Sequence, residues 1–265
     1  MFRLLFDLWR SNHNLKDILA EFVEMLEKDL RMFLLVLDVL KGKIRRVDIH
    51  PDVYKRDVNI NRMERHIRKE LVEHLSLHPG GDIPACLVLM SVVKDAERVG
   101  DYGKNLLEVG QVMHKEFSAL THHDELLEIA EHVIEIFENT IKAFKESDTD
   151  LARDVVVDEG AMTRRCDALI EQLANSELSA NEAVCTAMLV RFLKRIEAHL
   201  SNIASSVVLP VHRLDGRLNY KSRDKKDRPA DSQDAEMTAD SQNPAKKETA
   251  ASSLHTESHP PTTEG

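Results

Sequence analysis

Residues 92–108 read V-V-K-D-A-E-R-V-G-D-Y-G-K-N-L-L-E, and residues 189–205 read L-V-R-F-L-K-R-I-E-A-H-L-S-N-I-A-S. Laid over each other at an offset of 97 residues, Lys94 meets Arg191, Arg98 meets Arg195, Val99 meets Ile196, Asn105 meets Asn202 and Leu106 meets Ile203. Solenoid repeats run to roughly 20–50 residues, so a period this long fits a duplicated small domain instead. The copies have diverged at one pair of positions. Glu97 and Asp101 in the first correspond to Lys194 and Ala198 in the second.

Working outward, the apolar periodicity is helical up to about residue 213. Leu15, Ile18, Leu19, Phe22, Leu26, Leu30, Phe33, Leu34, Leu37 and Leu40 recur at steps of three and four, which is one face of an amphipathic helix. A second run holds Ile60, Met63, Ile67, Leu71 and Leu75 and stops at His78-Pro79-Gly80-Gly81. A third helix is expected from about Ala85 to Val112. Thr121 with Asp124 resembles a capping box before a fourth, whose stripe is Leu126, Ile129, Val133, Phe137, Ile141 and Phe144. Ser147-Asp148-Thr149-Asp150 is a turn with N-cap character, followed by a fifth helix to about Ala174. Ser179 with Glu182 forms an S-x-x-E box before the sixth, which ends near Pro210. The expected fold is all-α: two tandem three-helix bundles, residues 14–118 and 119–214, joined by short connections that favour antiparallel neighbours.

Composition agrees with helices. Aromatic residues are 5%, charged residues 31%, and only 9 Gly and 8 Pro are spread over 265 residues. A formal net charge of −10 leaves no cationic surplus for displacing phosphate counterions, so a nucleic-acid partner is not expected. Cys86, Cys166 and Cys185 are odd in number and form no C-x-x-C, which argues against a disulfide framework and for a reducing compartment. No run reaches the roughly 18–20 apolar residues of a membrane span. Residues 1–13 form an amphipathic segment with Phe2, Leu5, Phe6 and Trp9 on one face. It lacks a signal-peptide pattern; fold-back onto the bundle or a dimer contact is expected of it, with docking on a membrane surface or a transporter as the alternative. Beyond about Asp215 the apolar stripe ends, and residues 215–265 read as a disordered tail.

On a helix, Glu97 and Asp101 lie one turn apart with both carboxylates on one face, and Asn105 continues the line. Like charges at this spacing repel, so either a cation compensates or the neighbouring Lys94, Arg98 and Lys104 do. Hard carboxylate oxygens suit Mg, Ca, Mn or iron. Gly100 and Gly103 sit in the middle of the same helix, where each costs about 1 kcal/mol against Ala, which implies close approach by a neighbouring helix. His66, Glu70, His74 and His78 repeat at i+4 steps, but one straight helix cannot wrap four ligands around one ion, and a solvated face is expected. Capping is expected of His122 and His123, and ordinary packing of His199. No catalytic constellation surrounds any cysteine, and no phosphate-cradling Gly-rich loop is present.

Asp95-Ala96-Glu97-Arg98-Val99-Gly100-Asp101, followed by Asn105, resembles the D-x-E-R-[IV]-G-D-x-x-x-N signature of PhoU-type phosphate-uptake regulators. Arg195, Ile196, His199 and Asn202 look like the same segment in degenerate form. Asp57, Asn61, Met63 and Glu64 resemble the family's second helix, and Asp148 to Ala152 with Val155 and Asp158 the opening of its fifth. The resemblance covers roughly residues 14–213. It implies two three-helix bundles and acidic surfaces able to hold divalent or iron ions. By position the candidate metal ligands are Asp95, Glu97, Asp101, Asp57 and Glu64. In the second half Asp158 and Asp167 remain, without the motif's two carboxylates. Pro84 stands where the family usually has an Asp-Leu-Arg run, so the start of the third helix is not fixed by the resemblance. The function implied is non-enzymatic: a cytoplasmic, often dimeric regulator acting at a phosphate transporter or its sensor kinase on the inner face of the membrane. A sodium-phosphate cotransporter is a further possible client. The rival from another class is a carboxylate-bundle metal protein or enzyme, which needs Glu-x-x-His pairs on facing helices; no such set is found.

Overall fold

A computed structural model describes residues 13–43, 46–78 and 83–209. Among them the secondary structure is helical: α1 His13–Leu40, α2 Arg46–Leu77, α3 Ile83–Val112, a 3-10 turn Phe117–Ala119, α4 His123–Glu146, α5 Thr149–Ala174 and α6 Ala180–Val208. The amphipathic segment 1–13, apart from the start of α1, and the tail 215–265 lie outside the described residues.

Each half is three helices closed on one another, and the halves join mainly along α3 and α6, with α1 also meeting α4. One apolar core runs through both. Its largest side chains come from the predicted stripes: Phe22, Leu26, Phe33, Phe137 and Phe144. Phe22 packs on Phe144 and Phe33 on Phe137, at centroid distances of 4.9 and 5.6 Å, which ties α1 to α4. Leu34, counted in the α1 stripe, is instead exposed.

The α3–α6 seam carries the mark of the duplication. Tyr102 and His199 occupy the same position in the two copies, and their rings stack at 5.7 Å. Asp95 reaches His199 across the seam, and Phe192, the counterpart of Asp95, packs on Tyr102 at 5.8 Å. The same contact is therefore made in both directions, polar in one and apolar in the other. This is the pattern of a pseudo-two-fold axis passing between α3 and α6.

Helix ends follow local chemistry, with two corrections. Gly42, at φ 72°, supplies the left-handed residue that stops α1. Asp148 caps α5, accepting from the N–H groups of Asp150 and Leu151 at 3.0 Å. Ser179 caps α6 by accepting from Glu182 N–H at 3.3 Å, but the Glu182 carboxylate does not return to Ser179. It accepts from the Thr121 N–H and hydroxyl, both at 2.9 Å, and pairs with Lys115. Thr121 is thus not the cap of α4. That helix opens after His122, whose side chain makes no capping bond, and His123 lies 3.1 Å from the Phe117 carbonyl oxygen. The two expected capping boxes have merged into one lock between the linker and α6. α2 also begins at Arg46, well before its apolar stripe, and continues through Pro51. Pro51 lies past the first turn, so its ring forgoes one i→i−4 bond inside the helix. Pro84 lies in the first turn of α3, where its missing N–H has no helical partner to lose.

The mid-helix glycines of α3 mark close approach, as their sequence position implies. A Cβ on Gly100 falls 2.9 Å from Asp29 Oδ1 and 3.3 Å from two carbons of Ile60. Gly100→Ala is therefore expected to lose about 1–2 kcal/mol, because overpacking exceeds the gain of about 1 kcal/mol in helix propensity. Thermal unfolding of the variant checks this, and a raised midpoint would mean that Asp29 and Ile60 yield freely.

Candidate functional site

The signature on α3 lies against α1 and α2, and each of its carboxylates has a basic partner within the chain. Glu97 pairs with Lys94 at 2.8 Å and lies 3.6 Å from Arg98 Nε. Asp101 accepts from Arg98 at 2.9 Å and from Lys104 at 3.3 Å. Lys104 also reaches across to Asp57 on α2 at 3.1 Å. Glu64, further along α2, pairs with Arg68 at 2.9 Å. Burial depresses the Lys104 pKa, but hydrogen bonding and charge from Asp57 and Asp101 outweigh it and raise the value above the ordinary range.

Asp95 is drawn away from this group. Its Oδ1 lies 2.7 Å from His199 Nδ1 and accepts from Asn202 at 3.2 Å. His199 Nε2 in turn lies 3.3 Å from Arg195, whose guanidinium sits over the Tyr102 ring at 5.8 Å. Motif residues of the second copy, Arg195 and Asn202, thus belong to the seam, and so does His199. Asn105 is half-buried on α3.

The interior of the first bundle holds a carboxylate that does not belong to the signature. Asp29 of α1 is 1% exposed, and neither oxygen has a hydrogen-bond partner. Burial first, then the charges of Glu97 and Asp57, push its carboxyl well above the usual range. The signal was present in the sequence. Asp29 falls three residues after Leu26 and four before Phe33, directly on the apolar stripe.

The second bundle differs. Lys194 pairs with Asp167 at 2.5 Å, and Asp158 is exposed. Glu197 stands where the first copy has Gly100. It is 1% exposed, its Oε1 lies 3.5 Å from His132 Nε2, and that oxygen accepts no hydrogen bond. Burial, with the charges of Glu159 and Asp158, pushes the Glu197 carboxyl up to about 8. Like Asp29, it interrupts a stripe, between Leu193 and Leu200.

The helical row of α2 is not the uniform solvated face expected of it. His66 is exposed and lies 3.6 Å from Glu21, but His74 is 4% exposed and stacks on His78 at 4.9 Å. Asp17 and Glu21 of α1 face the row across a shallow groove. Cys86, Cys166 and Cys185 are buried, and burial pushes the Cys166 thiol up to about 12, so it is protonated and inert at neutral pH.

Whether the first-bundle residues suit a metal can be judged from this geometry. The orphaned Asp29 beside the bare Cα of Gly100 suits a cation. The remaining donors do not converge on one. Glu64, Glu97, Asp57 and Asp101 are held by Arg68, Lys94 and Lys104, Asp95 faces another helix, and among the described residues no three His, Cys, Asp or Glu side chains are arranged to hold one ion. In this arrangement the residues do not fit a resident metal.

A duplicated all-α protein, three helices per half, with an acidic signature on the third helix and a worn copy on the sixth, defines the class. The chain belongs to the PhoU family: the PhoU domain model matches residues 22–109 and 126–207, one copy for each half and together more than half the chain. It is 25% identical over 128 residues to "Phosphate-specific transport system accessory protein PhoU homolog 1" of Thermotoga maritima, covering 46% of this chain and 54% of the relative. It is also 25% identical over 167 residues to a "Phosphate-specific transport system accessory protein PhoU homolog" of Pseudomonas putida, covering 61% and 65%. These alignments span between about half and two thirds of the relatives' lengths. The fold matches PhoU of Pseudomonas aeruginosa with a TM-score of 0.65 at 21% identity, over 76% of this chain and 97% of the other. PhoU of Streptococcus pneumoniae gives 0.61 at 18% identity, over 78% and 95%.

Proposed function

We propose that this chain is a non-enzymatic regulator that restrains phosphate uptake by binding a membrane phosphate transporter, or the sensor kinase attached to it, from the cytoplasmic side. The observation that carries the reading is the pair of PhoU domain matches, one on each half, together with relatives named as phosphate-transport accessory proteins. The architecture suits binding rather than chemistry. Buried thiols and ion-paired carboxylates offer no activated nucleophile, whereas long helix faces offer surface. No helix among the described residues is long and apolar enough to cross a membrane, so contact with a transporter is peripheral in this reading. The working form is a homodimer.

The test is phosphate uptake in cells. Deleting the gene is expected to leave uptake of labelled phosphate high after starved cells return to phosphate-rich medium, and the intact gene is expected to restore the restraint. Unchanged uptake kinetics in the deletion strain would sink the proposal.

A further inference from the structure

The acidic site of the first bundle is closed by one side chain that belongs to it. Lys104 follows Asp101 by three residues on α3, and its ammonium lies 3.3 Å from that carboxylate and 3.1 Å from Asp57 on α2. Its side chain is 19% exposed, against 68% for a surface lysine such as Lys69. The ammonium therefore sits between carboxylates of two helices, where an ion bridging α2 to α3 has its place. The charges around it also balance. Asp57, Glu64, Glu97 and Asp101 are matched by Lys104, Arg68, Lys94 and Arg98. A divalent ion entering this set must first displace a tethered cation.

We infer that Lys104 is the resident cation of this site: its ammonium joins Asp57 to Asp101 in the place of a divalent metal. This differs from the metal-holding role implied by the family resemblance. It stands apart from the choice of transport partner, so its failure leaves the phosphate-uptake reading untouched.

Lys104→Met removes the charge and keeps most of the stem. The wild-type chain and the variant are each incubated with manganese chloride, desalted and analysed for bound metal, and their thermal midpoints are read with and without manganese. The wild type is expected to retain no manganese and to show no shift. The variant is expected to unfold several degrees lower, with or without manganese, because Asp57 and Asp101 lose their shared cation. Retention of manganese by the wild type overturns the inference, and so does an unchanged midpoint in the variant. Should the variant fail to fold, amine acylation of the wild type decides. Lys104 is expected to label at least tenfold more slowly than Lys69, with or without manganese. Labelling of Lys104 at the Lys69 rate once manganese is present overturns the inference, because metal has then displaced the ammonium.

Discussion

Glu197→Gln is expected to raise the thermal midpoint at pH 8 and above and to change it little at pH 4. The wild-type carboxyl is buried on α6, 3.5 Å from His132, and is pushed up to about 8 by burial and by Glu159 and Asp158. A carboxyl whose folded pKa exceeds its unfolded value of 4.5 binds its proton more tightly in the native state. Its contribution to stability is complete below pH 4.5 and is lost as the pH climbs through about 8. The amide carries no charge to bury and escapes that loss. About 3 kcal/mol separates the two proteins on the alkaline side, with each pKa unit counted as about 1.4 kcal/mol and relaxation taken into account. For a helical unit of this size that is roughly 6–12 °C in midpoint. Unfolding curves of both proteins from pH 4 to pH 9 check the point. Parallel curves across the range would show that Glu197 is solvated or already neutralised by His132.

Glu182→Ala is expected to act in the opposite direction. This carboxylate, 3% exposed, accepts from the Thr121 N–H and hydroxyl and from Lys115. Hydrogen bonding from Lys115, then from Thr121, holds its pKa at about 2. Truncation leaves the Thr121 donors and the Lys115 ammonium without their acceptor, at a cost of about 2 kcal/mol, or about 4–8 °C. The sign with pH is the reverse of that for Glu197. The stabilisation is present above the unfolded value of 4.5 and is lost as the pH falls through about 2. The deficit of the variant should therefore be full at pH 7 and shrink in acid. A deficit that persists unchanged at pH 2 would assign it to lost packing at the α6 N-terminus instead.

These two residues bracket what a reading of the sequence could reach. Ser179 and Glu182 sit at the spacing of a capping box, and the local half of that box, Ser179 to the Glu182 N–H, is present. The other half depends on which acceptor lies nearest in space. Thr121, 61 residues away, competes successfully for the Glu182 carboxylate. Glu197 and Asp29 are legible as charges set into apolar stripes, but their lack of a hydrogen-bond donor is set by neighbouring helices and is not. Helical spacing places the carboxylates of the signature on one face. Its two alternatives, a cation or neighbouring basic side chains, were both visible at i+3 spacing from Lys94 to Glu97 and from Asp101 to Lys104. The bond from Lys104 to Asp57 was not visible, because it crosses from α3 to α2.

By itself the sequence determined the helices, their order and the duplication. Each of these rests on a short-range period: apolar residues every three or four positions, caps within three residues, and a copied segment at a constant offset. The tertiary structure decided which partner each charge takes. It set Asp95 against His199 rather than beside Glu97, joined Thr121 to Glu182, placed the Lys104 ammonium between two helices, and left Asp29 and Glu197 with core oxygens that accept no hydrogen bond. The physical reason is that a helix face is defined over one or two turns. The dielectric environment and nearest counter-charge of a side chain depend instead on residues that may be 50 or more positions away in the chain, as Glu182 and Asp95 demonstrate with separations of 61 and 104.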